Sequence, residues 1–114
     1  MISEYTRKKI GDEFILRSLD RVRVVGINTP LRLYELLELA EQAPAPLLDT
    51  LVIWEQALRH YEKGNFREAV RLFRSVADRN REDDTARLYI NRCEEFLRNP
   101  PQPDWQGIHT LTRK

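Results

Sequence analysis

Few side chains in this sequence are of types that do chemistry, and they are scattered. His60 and His109 are the two histidines. Each could ligate a metal or move a proton near neutral pH. They stand far apart in sequence, and His60 falls on a helical stretch beside Tyr61, where a rim residue is the ordinary reading. Glu82-Asp83-Asp84 could hold a cation, but these carboxylates open a helix, where the dipole favours them as plain solvated charges. Cys93 could attack an electrophile only as a thiolate, which needs a basic neighbour. No histidine or basic cluster lies close to it in sequence, and an inward helix position makes it small apolar filler. Arg67, Arg71 and Arg74, with Arg79 and Arg81, make one side of a helix basic. That side could grip an acidic partner, although Glu68 and Asp78 interleave it. There is no glycine-rich phosphate loop. The expectation is a chain with no catalytic, cofactor-binding or metal-binding residue and no cofactor of its own.

Composition supports a small soluble domain. The chain has 114 residues, 41% hydrophobic and 32% charged, too apolar for disorder. Nineteen Lys and Arg against eighteen Asp and Glu leave a net charge of +1. Bulk charge therefore draws the chain neither to nucleic acid nor to a membrane. The apolar runs are too short to span a bilayer, and no charged-then-apolar leader opens the sequence. A single cysteine excludes an internal disulfide and a cysteine-based zinc site. A reducing, cytoplasmic setting is expected.

The elements fall in two unlike parts. Residues 1–38 carry a short helix and a strand pattern. Ser3 is placed to cap a helix running to Lys9, with Gly11 ending it. From Phe14 the pattern turns strand-like, with Asp20, Val22 and Val24 on one face and Arg21, Arg23 and Val25 on the other. Gly26 to Pro30 reads as a turn, and Leu31 and Leu33 then alternate with Arg32 and Tyr34. This is an antiparallel hairpin of residues 14 to 36. A hairpin alone is marginal in water. Its outer edge is expected to be a bare template for pairing, covered by the first of the later helices or by a second copy of the chain in a homodimer.

A proline-bearing linker, residues 39–46, leads into three helical stretches over 47–98. Leu51, Trp54, Leu58 and Tyr61 share one face of the first, which runs to Lys63. Phe66, Ala69, Val70, Phe73, Val76 and Ala77 share one face of the second. Leu88, Tyr89, Cys93, Phe96 and Leu97 are read as inward on the third. Residues 99–114 form a proline-rich tail with Trp105, expected to fold back onto the helices. The fold class is α+β, mostly α. Trp54, Tyr61, Phe66, Phe73, Leu88 and Trp105 are expected to form the core and partner groove of the helical part.

The run Trp54 to Phe73 resembles a tetratricopeptide repeat in its order of aromatic, small residue, Tyr61, Gly64, Phe66, Ala69 and Phe73. Trp54 and Tyr61 keep the repeat's spacing, but Gly64 comes one residue early. Val76 and Arg81 stand where the family usually has Ala and Pro. The resemblance implies a helical hairpin that meets proteins, or other parts of its own chain.

A second resemblance covers residues 1 to about 38. Ile2-Ser3-Glu4-Tyr5-Thr6, Leu19-Asp20-Arg21-Val22-Arg23-Val24-Val25-Gly26 and Pro30-Leu31-Arg32-Leu33-Tyr34-Glu35-Leu36-Leu37 are similar, in order and spacing, to the end of the catalytic domain of bacterial class III adenylate/guanylate cyclases. Asp84 to Cys93 and Pro101 to Gly107 are similar to the helical tails that follow some of those domains. The resemblance implies the closing part of a signalling enzyme that makes cyclic nucleotides with Mg²⁺ or Mn²⁺. The family's metal-binding, base-reading and transition-state residues all lie upstream of such a segment, and the lysine often found before its turn glycine is Val25 here. Two readings result. One is a cyclase fragment, inactive alone, whose partner is the rest of the catalytic domain or another protein. The alternative is a free-standing tetratricopeptide-like interaction module with no link to cyclase activity.

Overall fold

The computed structural model describes residues 1–24, 29–103 and 105–111. The turn Gly26-Ile27-Asn28 and the Val25 position lie outside the described residues. The fold is α+β, and the chain divides into two compact units, Met1–Ala45 with Gly107–Lys114, and Pro46–Gln106.

The first unit is a four-stranded sheet with a short helix. Its strands are β1 (Ile2–Ser3), β2 (Phe14–Val24), β3 (Leu31–Leu39) and β4 (Ile108–Leu111), in the order β1-β3-β2-β4. Helix α1 spans Glu4–Ile10. It starts where the sequence places it: the Thr6 N–H donates to Ser3 Oγ at 3.4 Å, which satisfies one orphan donor of the first turn. Glu4 reaches further and accepts from the Arg32 N–H at 3.1 Å, tying the helix start to β3.

The hairpin of β2 and β3 is antiparallel, with Arg17 opposite Glu35, Ser18 opposite Tyr34 and Val22 opposite Leu31. Its register slips between Ile15 and Leu16 and again between Ser18 and Arg21. Such bulges re-aim side chains and bend a strand. Leu19 and Val22 form the buried apolar points of β2. Arg17 is also buried, only 6% exposed, and its guanidinium meets the Glu35 carboxylate at 2.6 Å. A buried arginine requires such a partner, because an unpaired charge out of water is costly.

The bare edge expected of the hairpin is corrected by two further strands. β1 pairs with β3 through Ile2–Tyr34 and Ser3–Leu33. β4 runs parallel to β2, with Arg21 opposite Ile108 and Val24 opposite Leu111. β4 comes from the segment read as part of a tail. A parallel pair needs a long crossover between its strands, and here the three helices of the second unit supply it.

The second unit holds α2 (Ala45–Glu62, whose first residue belongs to the sheet unit), α3 (Phe66–Arg79) and α4 (Asp84–Arg98). Pro46 falls in the first turn of α2, where a missing N–H leaves nothing unsatisfied. Gly64 closes the turn into α3 at φ +85°, a left-handed conformation natural to glycine. Asp83 caps α4 by accepting from the Ala86 N–H at 3.1 Å. Among the described residues, no helix is long and apolar enough to cross a membrane.

Candidate functional site

The helical unit is organised around aromatic rings. Trp54, Tyr61 and Phe73 are completely buried, and Phe66 nearly so. Trp54 packs edge-on against Phe73 and Tyr89, with centroids 5.0 and 5.2 Å apart. Tyr61 meets Phe66, Phe73 and Tyr89 in the same edge-on manner. These geometries add to plain burial because ring edges are positive and faces negative. Ala57, Ala69 and Ala86, one on each helix, are fully buried in the same unit.

Leu88 is not part of this core, which corrects the sequence expectation. It is 47% exposed. The inward face of α4 is set by Ala86, Tyr89 and Cys93, at spacings of three and four. Leu88 lies one residue from Tyr89, about 100° around the helix, and so points to the other side. Leu97, read as inward, is also largely exposed.

Trp105 packs against the helices. Its indole Nε1–H donates to the Tyr61 backbone oxygen at 2.9 Å. Its ring lies 4.9 Å from that of Phe96, 5.5 Å from Tyr61 and 5.8 Å from Phe66. That carbonyl, in the last turn of α2, also accepts from the Gly64 N–H at 3.1 Å, so the indole is its second donor. A half-buried indole with a satisfied N–H is a stable way to end a helical unit.

Beside Trp105 opens a cleft of about 360 Å³, walled by Phe66, Phe96, Leu97 and the prolines Pro100, Pro101 and Pro103, with Lys63 at its rim. A second hollow, about 320 Å³, is lined by Gln56, Arg59, His60 and Lys63. Lys63 belongs to both. These four residues recur at i, i+3, i+4 and i+7, a stripe that follows one face of α2 and ends on Lys63 in the turn after it. That spacing is readable in the sequence, but the stripe mixes residue types and does not stand out as a charge run.

The other candidates part company. His60 lies in the basic hollow, with its Nδ1 3.4 Å from the Asn65 amide nitrogen. His109 is in the sheet unit, with Nε2 3.6 Å from Asp20 Oδ1. Asp83 caps α4, and Asp84 pairs with Arg87. Among the described residues, no group of three His, Cys, Asp or Glu gathers as a metal site would require. Cys93 is fully buried, and burial pushes its thiol up to about 12. Two arginines on the basic side of α3 are paired: Arg71 with Glu68, and Arg74 with Glu94 at 2.6 Å. The hydrogen bond from Arg71 holds the Glu68 carboxyl below the ordinary carboxylate range.

The chain is similar to "Adenylate cyclase, terminal-differentiation specific" of Dictyostelium discoideum. The two are 27% identical over 102 residues, which is 86% of this chain and 5% of that protein. The chain therefore spans a small part of its relative's length. It has a distant cyclase relation. No protein-family model matches the chain, and no solved structure matches it.

Proposed function

We propose that the chain is the closing segment of a class III nucleotide cyclase catalytic domain, joined to a tetratricopeptide-like helical module, and that it makes no cyclic nucleotide by itself. One observation carries the reading. The similarity to an adenylate cyclase extends over more residues than either structural unit holds, so it includes the sheet and the helices together. A similarity confined to the helices would support only a generic helical hairpin.

In this reading α1, β2 and β3 supply the last helix and strands of the catalytic sheet. The helical unit, with its own aromatic core, serves protein contacts or contacts within the longer protein. The family's Mg²⁺ or Mn²⁺ would be held by aspartates that this sequence does not carry, and the described carboxylates do not gather to replace them. The chain's contribution is structural, completing the sheet on which others do the chemistry. Partners are the remainder of such a catalytic domain, or a second copy of the chain.

The test is an assay of the purified chain with ATP or GTP and either Mg²⁺ or Mn²⁺, beside a longer protein that contains this segment. The expected result is no cyclic nucleotide from the chain and synthesis by the longer protein. Synthesis by the chain alone would overturn the fragment reading. A longer reading frame without metal-binding aspartates upstream would overturn the cyclase relation.

A further inference from the structure

We propose that the Trp105 cleft and the basic hollow beside it form one binding groove for an acidic peptide anchored by an aromatic side chain. The inference rests on the helical unit alone and is independent of the cyclase reading.

The cleft offers three ring surfaces, from Phe66, Phe96 and Trp105, and three prolines. Its volume of about 360 Å³ is at the lower end of the range for small-ligand pockets, and it would take one aromatic side chain rather than a folded element. The neighbouring hollow offers an amide, a guanidinium, an imidazole and an ammonium, from Gln56, Arg59, His60 and Lys63, and no carboxylate. His60 Nδ1 lies 3.4 Å from the Asn65 amide nitrogen at the edge of this hollow. One acid near the hollow, Glu68, is paired with Arg71. The hollow is therefore complementary to anions.

Lys63 stands in both walls, so the apolar and cationic parts are contiguous. Both hollows are open rather than enclosed. An open, two-part groove fits an extended ligand better than a compact one, because a compact ligand would leave much of its surface in water. An aromatic residue followed by acidic ones matches the order of the walls. The charge match would speed encounter and fix orientation, with a strong salt dependence.

Trp105 makes the test direct. It is one of two tryptophans, and the other, Trp54, is sealed in the core. A tryptophan-free peptide of one phenylalanine followed by a run of glutamates should change Trp105 emission saturably, and added salt should weaken it. Lys63→Glu and Arg59→Glu should each weaken binding at least tenfold, and Lys63→Arg should restore it. Both positions are exposed, so an unchanged circular dichroism melt will show that the variants fold. A peptide with lysines in place of the glutamates should not bind. No saturable change with the acidic peptide, equal binding of the lysine peptide, or indifference to Lys63→Glu would each overturn the proposal. Tighter binding of AMP than of the peptide would also overturn it, in favour of a small-molecule site.

Discussion

Phe73→Ala is the sharpest test of the helical core. Phe73 is completely buried and lies 5.0 Å from Trp54, 5.1 Å from Tyr89 and 6.3 Å from Tyr61 by ring centroid. Truncating such a residue costs about 3–5 kcal/mol, because the lost transfer energy is compounded by the cavity left behind. The upper half of that range is expected here. The surrounding rings are rigid, and three aromatic contacts worth about 0.5–1.5 kcal/mol each disappear together. A unit of about 60 residues holds only about 3–9 kcal/mol in all. The variant should therefore lose half or more of its stability. Urea unfolding of the whole chain, followed by far-ultraviolet circular dichroism, measures this as a lowered midpoint. Leu88→Ala is the internal control: an exposed site should change stability by no more than about 0.5 kcal/mol. An unchanged midpoint for Phe73→Ala, or an equal loss for Leu88→Ala, would refute the assignment of the inward faces.

Trp105→Phe keeps a ring but removes the donor to the Tyr61 carbonyl; it should cost about 0.5–1.5 kcal/mol and raise the rate of proteolysis within residues 99–106. Cys93 should resist thiol reagents at pH 8 until the chain is unfolded, since burial pushes its thiol up to about 12. The sign of the linked stability follows: the contribution is full below the unfolded thiol's value near 9 and is lost as pH rises toward the folded one, so unfolding midpoints should fall over that window. Replacing both Arg17 by Met and Glu35 by Leu should be near neutral or stabilising, whereas Glu35→Ala alone should destabilise by about 1–3 kcal/mol, the lower end being set by the partial exposure of Glu35. Calorimetric melts of both variants check this, and equal losses would show that the pair itself stabilises the sheet.

Much of this architecture was legible because apolar spacing reports which face of an element is inward. Trp54 and Tyr61 recur at helical intervals on α2, as Phe66 and Phe73 do on α3, and Trp54, Tyr61 and Phe73 are fully buried. The alternation through Val22 and Leu31 gave the hairpin, and its two strands pair there. The failures have physical causes. Leu88 and Leu97 are apolar, yet a helix surface tolerates single apolar residues, so residue type alone does not mark the inward side. Tyr89 and Cys93 carried that information through their spacing. β1 and β4 are two and four residues long. Strands that short hold no readable period, and both are specified by pairing with partners distant in sequence. The Gln56–Lys63 stripe is not legible for a different reason: its members share only hydrogen-bond donation.

The tail shows how a sequence boundary and a structural boundary can differ. Residues 99–114 read as one proline-rich segment, yet they belong to both units. Up to Gln106 they go with the helices, and from Gly107 with the sheet. The helical unit is thus an insertion between β3 and β4 of a discontinuous sheet unit. Gly107, at φ +74°, stands at the changeover, a conformation that favours glycine over residues with a Cβ. A hairpin with a helical repeat merely appended would need nothing after α4. Here β4 pairs with β2 through Ile108 to Leu111, so the sheet needs the chain to pass through all three helices before its last strand can form. The segment after α4 is what makes the two units a single folding problem.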